Sequence, residues 1–540
     1  MKTSVRYKTF DQLSIADHMV YSRLPRHSFW SVIEEKIDFT FADALCSFLY
    51  TGRGQYPYAP SLKLKIHLVQ LYYQLSDRHT EEKIVGDLFI KRFLGLPVDF
   101  FGFDHSTIGL DRSRLGAGLF LACHRYILAQ LYQMGLWDKE EAWIIDSFPM
   151  QVHGQQRSSY RMIQQTAKHL MELLQRYRPD VHNQLQQHVD VAALTAVPAP
   201  GLSKADYLLA YSRMVTQVYG MAVWLDTQES LHTAWPTKKA ERRFHKRLHL
   251  LHQLLDEHTE PTPPDEELTS EQSRRKKPRA ALPKSRSYTL RDPEARIGRK
   301  SKTVMICGYK VQVLMSEDGT ILETRVIPGD EHDRDAMVEM VNSMRQSWMQ
   351  PSTRVVLGDT LYGLGEQRAQ LGAERIRVVA PVPASTNPKK GLPHDAFTYD
   401  PKTDAYQCPQ GNRSEKKSYI KQSQGWQYKF NAEECNACPM RDKCTSNENG
   451  RTVFHSIFYA HYEQARKHNA TVTGIAELRK RGRIERKNNE LKNHCGLGKV
   501  WTCSKEAAAI KAHLAGIVVN LKRVSRRFSP PGSWLVRHAT

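Results

Sequence analysis

At 540 residues the chain is too long for one compact domain of the usual ~100–200 residues. With 40% hydrophobic and 25% charged residues it is neither collagen-like nor globally disordered, and nine thinly spread cysteines make no disulfide framework, which points to a reducing cytoplasm. The net charge of +21 is concentrated, since residues 271–310 and 471–530 each sum to +10, and this implies a polyanion held at two places, nucleic acid before any other.

The start, Met1-Lys2-Thr3-Ser4-Val5-Arg6-Tyr7, leads into no apolar region of the signal-peptide kind. The first ~130 residues read as helical. Ser61 to Leu75 is a dense apolar run, with Pro57 and Pro60 as its start signal and Ser76-Asp77 as its break. Thr80 with Glu81 and Glu82 opens another helix by capping and dipole logic. Gly95-Leu96-Pro97 turns the chain, and Asp104-His105-Ser106-Thr107 precedes a basic stretch with Arg112 and Arg114. Short helices, a polar cap and a basic third element have the order of a helix-turn-helix, with a plain helical packing domain equally open.

At Trp143-Ile144-Ile145-Asp146 an apolar strand ends in a carboxylate. Residues 155–260 return to helical composition, and the basic, Pro-containing stretch from Pro261 to Arg299 reads as a mobile linker or a segment ordered by its partner. Tyr309, Val311, Val313 and Met315 then alternate with Lys310, Gln312 and Leu314; Asp318-Gly319 supplies a hairpin turn and Ile321 to Ile327 the return strand. After a helical stretch from Asp335, Arg354-Val355-Val356-Leu357-Gly358-Asp359 is a second apolar strand ending in a carboxylate, and Ile376 to Ala380 is a further strand. The most apolar late stretch, Ala507 to Leu521, is broken by Lys511 and His513 and falls short of the ~18 residues of a membrane span. The order strand, hairpin, helix, strand, helix, strand is that of an RNase H-like α/β core. The expected fold is therefore mixed. An all-α DNA-binding domain (1–130) precedes an α/β RNase H-like core (131–540), which is interrupted by a helical, basic insertion (155–290) and a Cys-containing insertion (384–455).

Phosphodiester cleavage and transfer call for divalent metals held by a few carboxylates. Asp146 and Asp359 end apolar strands, although a strand-end Asp also serves as an ordinary cap. Glu485 is the helical candidate: at 100° per residue, Arg481, Glu485 and Lys492 fall at about 0°, 40° and 20°, one narrow stripe, with Glu490 opposite. Taken alone, that stripe is equally an i,i+4 salt-bridged face. Asp330, Glu331 and Asp333, which follow the hairpin, and Glu366, one turn beyond Tyr362, are competing acids. The insertion carries Cys408 and Cys435-x2-Cys438-x5-Cys444; the paired thiols have zinc spacing, so structural Zn²⁺ stands against reduced, unligated cysteines. Trp426 and Tyr428 lie among Lys416, Lys417, Lys421 and Lys429, an arrangement for stacking on a base or, as the plainer reading, for a small packed core.

These segments together resemble the DDE transposases of bacterial insertion sequences, of the InsH-like type. Tyr56 to Arg78, Phe93-Leu94-Gly95-Leu96-Pro97 and Asp104-His105-Ser106-Thr107 look like their N-terminal domain. Ile145-Asp146-Ser147, Leu357-Gly358-Asp359 with Tyr362-Gly363, and Arg481-x3-Glu485-x6-Lys492 look like their catalytic segments, and Gly308-Tyr309-Lys310 like the opening of the hairpin they share. His513 and Asn520-Leu521-Lys522-Arg523 look like the closing helix. Leu478 stands where some relatives carry a tyrosine, so no tyrosine role is carried over. The resemblance implies Asp146, Asp359 and Glu485 as a triad for Mg²⁺ or Mn²⁺, with Arg481 and Lys492 on phosphates and Arg112, Arg114, Lys522 and Arg523 as further DNA contacts. It also implies cleavage at element ends, strand transfer into target double-stranded DNA, a dimer at synapsis, and a bacterial, nucleoid-associated cytoplasmic protein. The rivals are a nuclease on the same core and a non-catalytic, domesticated DNA-binding protein. No Gly-x4-Gly-Lys-Ser/Thr loop is present to support an ATP-driven mechanism.

Overall fold

A computed structural model of the chain describes residues 5–8, 10, 13–27, 29–50, 55–154, 156–263, 273–299, 305–383, 391–501 and 503–529, the side chain of residue 335 excepted. Parts of the basic block at 271–310 therefore lie outside the described residues. The N-terminal region is helical and is followed by a mixed sheet with helices.

Helix Pro60–Tyr72 begins on its proline, a position where the missing N–H has no helical partner anyway. The next helix, Asp77–Gly86, starts ahead of the expected Thr80. Ser76 is its cap, accepting from the His79 N–H, and not merely a break. Asp104 caps the long helix His105–Gln133 by accepting from the Ser106 N–H, and Gly116, at φ +69°, kinks it. Ile108, Phe120, Ile127 and Leu128 of that helix are buried. One continuous apolar core runs from Trp30, Leu68 and Phe120 through Trp143 and Val313 to Val518, so the N-terminal helices and the sheet pack as one body.

Seven strands form the main sheet: β1 (Trp143–Val152), β2 (Arg296–Arg299), β3 (Met305–Ser316), β4 (Ile321–Pro328), β5 (Val355–Leu357), β6 (Arg377–Val379) and β7 (Lys499–Val500). β1 runs antiparallel to β3 and parallel to β5; β3 pairs antiparallel with β4 and, near its start, with β2. β5 and β6 are parallel, and β7 joins the last residues of β1 in parallel.

Two expectations are corrected. The first strand does not end at Asp146: pairing with β3 continues to Gln151, whereas pairing with β5 stops at Ile144. Asp146 thus marks the end of one neighbour, not of its own strand. The stretch from Pro261 to Arg299 is not a linker where it is described, although residues 264–272 fall outside the described set. Arg274–Lys276 pairs with Thr259–Pro261, and β2 completes the main sheet. The cations that made the stretch look solvated lie on rings: the Arg274 guanidinium is 4.2 Å from the centre of Tyr219, and Lys276 lies over Tyr207 and Tyr211.

Helices Ser159–Tyr177, Lys204–Asp226 and Lys238–His258 enclose a second core around Leu170, Met214 and Leu251. A third, small core of Phe397, Tyr406, Tyr428, Phe430 and Val453 lies under the three strands Ser414–Ile420, Gly425–Phe430 and Thr452–Ser456. Tyr428 belongs to this core, while Trp426 keeps partial exposure with Lys417 4.8 Å from its ring centre. No helix among the described residues is long and apolar enough to cross a membrane.

Helix Lys505–Phe528 packs along β4 and His105–Gln133. Its fully buried Asn520 accepts from the Ile321 N–H at 2.8 Å and donates to the Ile321 carbonyl at 2.8 Å, filling both backbone groups at the start of β4. The same amide nitrogen lies 3.0 Å from His124 Nε2, and burial pushes the His124 pKa down to about 3, which leaves that nitrogen free to accept. Asn520→Leu strands these buried groups and is expected to lower stability by about 2 kcal/mol. Urea unfolding of the variant checks this, and an unchanged midpoint would remove the clamp from the account.

Candidate active site

The parallel pairing of Ile144 with Leu357 sets the level of the two aspartates. Asp146 follows Ile144 by two residues and Asp359 follows Leu357 by two, so both backbones reach the same height where β5 ends. The Asp359 carboxylate accepts from the N–H of Leu361 at 2.8 Å and of Tyr362 at 3.4 Å, which fixes the turn after β5. Gly358 is required there because a Cβ would stand 2.7 Å from that of Tyr362. The buried Tyr362 hydroxyl donates to Gln312 Oε1 at 2.5 Å. Its pKa is raised well above the ordinary value, by burial first and then by the charges of Asp333, Asp146 and Asp359.

Helix Arg483–Asn489 brings the third carboxylate. It packs against β1 through buried Ile484 and Asn488, and Asn488 Nδ2 donates to Asp146 Oδ2 at 2.9 Å. Glu485 stays 65% exposed at its side chain, 3.5 Å from Arg481. The uninterrupted helix assumed for the Arg481–Lys492 stripe is broken. Arg481 caps the preceding helix Val472–Lys480, and Glu490–His494 widens into a π-type turn. Glu490 nevertheless faces away as expected, paired with Lys487 at 3.0 Å.

A cavity of about 590 Å³ is lined by Asp146, Asp359 and Glu485 together with Arg481 and Lys492. Asp333 lines it too, held by Lys310 at 3.1 Å, and Lys310 also donates to the Glu331 carbonyl at 2.6 Å. Arg299, His332 and Asn488 complete its polar walls. Of these, Arg299, His332 and Asn488 were not singled out from sequence, and Lys310 was quoted only as part of the shared hairpin segment. The signal for Lys310 was a cation between the apolar Tyr309 and Val311 of one strand.

The remaining predicted residues lie elsewhere. Arg112 pairs with Asp77 and donates to Gln70 at 2.8 Å, tying two N-terminal helices together. The Arg114 guanidinium is 5.8 Å from the Tyr50 ring centre, and Lys522 Nζ is 5.5 Å from that of Tyr72. Arg523 donates to the carbonyls of Leu136 (2.8 Å) and Asp318. Cys408, Cys435 and Cys444 edge the small third core, the Cys435 sulfur accepts from the Arg451 N–H at 3.5 Å, and the Cys438 sulfur accepts from the Met440 N–H at 3.4 Å. The Cys444 thiol is raised above its ordinary pKa, by burial first; Cys435, Cys438 and Cys408 add to the rise.

Among the described residues no group of three or more His, Cys, Asp or Glu side chains is gathered closely enough to hold a metal ion. The donor types in the cavity are those a hard cation takes: four carboxylates line it, Asp146, Asp333, Asp359 and Glu485, Glu485 with most of its surface open. Thiolate sulfur is a donor that zinc takes, but the four cysteines are not gathered as a ligand set among the described residues.

Residues 18–114 match the model of the transposase domain DUF772, and residues 280–521 match that of the transposase DDE domain. Asp359 and Glu485 fall inside the second match; Asp146 precedes it and reaches the site through the central place of β1 in the sheet. No curated protein matches the chain.

Proposed function

For a chain that belongs to the DDE-domain transposases, we propose that Asp146, Asp359 and Glu485 are the acid triad of an RNase H-like core that cuts DNA at element ends and joins the freed 3′ end to target DNA. The observation that carries this is the meeting of three carboxylates, 213 and 126 residues apart in the chain, in one cavity with Arg481 and Lys492. The strand order β4-β3-β1-β5-β6, antiparallel for the first three and parallel thereafter, supports the RNase H-like assignment. On this reading residues 1–130 are the helical N-terminal domain and 131–540 the catalytic domain, with insertions at 155–290 and 384–455.

Asp146, Asp359 and Glu485 are the residues that would hold Mg²⁺ or Mn²⁺, ions that activate an attacking oxygen and stabilise a leaving one when bound. Asn488 orients the Asp146 carboxylate through its 2.9 Å bond. Arg481 and Lys492 bind the phosphate flanking the scissile bond, and Lys310 keeps Asp333 neutralised beside it. Two copies of the chain are needed to bring two element ends together.

The test is a strand-transfer assay with a duplex ending in a free 3′-hydroxyl. Joined products in Mg²⁺ are expected; cleaved ends that never join would favour hydrolysis by a nuclease on the same core. For Cys408, Cys435, Cys438 and Cys444 the proposal is one structural Zn²⁺. Purified protein is expected to carry about one equivalent by elemental analysis and to lose stability on chelation. Metal-free protein of full stability would refute it.

A further inference from the structure

Beyond the acid-lined cavity, a second cavity of about 550 Å³ opens where the end of β1 and β7 meet the helical insertion. Its walls carry Arg157, Arg247, Arg291 and Lys499, with His153 and Trp501 between them, and among the described residues no carboxylate lines it. The cationic groups are not left to wander. Backbone pairing of Val152 with Val500, continued by the His153 N–H to the Val500 carbonyl at 2.8 Å, sets His153 beside Trp501. Their rings stack at 3.9 Å and 7°. The Arg291 guanidinium sits 4.5 Å from the Trp501 ring centre, so an exposed arginine is held by an aromatic plate. Arg157 is fixed by its bond to Gln165. Gly154 lets the floor close, since a Cβ there would lie 2.7 Å from Thr289 Oγ1.

The cavity is electropositive as a whole. Burial and then Lys499 and Arg291 lower the His153 pKa, and burial and then Arg247 lower that of His169 on the same wall. Among the described residues Arg247, Arg291 and Lys499 have no carboxylate partner. Positive groups gathered without a counter-charge repel one another, a cost that a bound anion relieves.

We propose that this cavity is a second DNA contact of the protein, binding a backbone phosphate of duplex DNA independently of sequence. It rests on the reading of the chain as a DNA transposase. The distance favours one duplex spanning both sites: from Asp146 to Val152 along β1 is about 20 Å, about six base-pair steps of duplex DNA. A phosphate at Arg291 and Lys499 therefore fixes the direction in which the duplex leaves the acid-lined cavity.

The test is DNA affinity of the full chain for a labelled duplex across a salt series, in the wild type, in Arg291→Gln with Lys499→Gln, and in Arg176→Gln, an exposed cation of the insertion outside the cavity. The double variant is expected to bind about tenfold or more weakly at low salt, with a salt slope shallower by about one, as loss of one phosphate contact requires, while Arg176→Gln stays at wild type. Both altered residues are exposed, so the fold is kept. Trp501→Ala is expected to reproduce part of the loss by releasing Arg291. A double variant with wild-type affinity and slope overturns the cavity as a DNA contact, as does an equal loss in Arg176→Gln. Protection of the cavity by inorganic phosphate with DNA binding unchanged in the double variant assigns it to a free anion and overturns the proposal as well. A wild type that binds no DNA overturns the functional reading itself.

Discussion

Replacing Asp359 with Asn is expected to lower Mg²⁺-dependent cleavage by about 10³-fold or more, about 4 kcal/mol of transition-state stabilisation, with DNA affinity within a few-fold of wild type. The substitution is close to isosteric, and its side-chain oxygen can still accept the Leu361 N–H that fixes the turn, so the loss reports the missing charge and not a collapsed loop. Asp146→Asn is expected to behave alike, because the bond from Asn488 needs only an acceptor oxygen. Glu485→Gln removes the charge of an exposed side chain whose one close partner among the described residues is Arg481 at 3.5 Å, so the fold has little to lose there. Single-turnover cleavage of an end-labelled duplex measures all three. A variant that cleaves at the wild-type rate excludes that residue from the triad. Wild-type protein that binds the duplex and cuts nothing would instead favour the domesticated, non-catalytic alternative.

Part of this architecture was legible in the sequence because local rules and global pairing agree. Tyr309 to Met315 alternates, Asp318-Gly319 turns, and Ile321 to Ile327 returns, and the structure pairs Val313 with Thr324 in that hairpin. Asp359 was legible for the same reason, since a short apolar strand ends at Leu357 just before it. What a sequence cannot state is how far each neighbour extends. β1 looked finished at Asp146 because a carboxylate follows three apolar residues, yet β3 holds it to Gln151 while β5 releases it at Ile144. The stripe through Arg481, Glu485 and Lys492 assumed an unbroken helix. The chain breaks at Gly482 and widens after Asn489, and the three side chains still line one cavity. Asn488 carries no motif at all; its role exists only because β1, 342 residues earlier, lies beneath it. Basic composition misled at 273–299, where cations that read as solvated rest on tyrosines of helix Lys204–Asp226.

The charge pattern is sharpened by the same comparison. The C-terminal basic block supplies Arg481 and Lys492 to the acid-lined cavity and Lys499 to the second one, and the block at 271–310 supplies Arg299 and Lys310 to the first and Arg291 to the second. Two segments far apart in sequence thus contribute to both cavities. Arg523, by contrast, donates to protein carbonyls, which shows that net charge per segment overstates the number of groups facing a polyanion.

Lys310→Met is expected to lower stability by about 3 kcal/mol and cleavage by about tenfold or more, and adding Asp333→Asn is expected to restore most of both. Lys310 and Asp333 are 11% and 19% exposed at their side chains, so their 3.1 Å pair is largely shielded from solvent and outside the weak surface class. Without the ammonium, Asp333 is left as an uncompensated charge in the cavity of Asp146 and Asp359, the same three carboxylates whose field acts on the Tyr362 phenol. The extra negative charge raises the cost of bringing a phosphate in and gives a cation a competing ligand. Neutralising Asp333 removes both effects at once, so recovery in the double variant identifies the role of Lys310 as charge compensation. If stability recovers and cleavage does not, Lys310 touches the phosphate itself. A double variant no more stable than Lys310→Met would discard the pair as the reason this buried lysine is there.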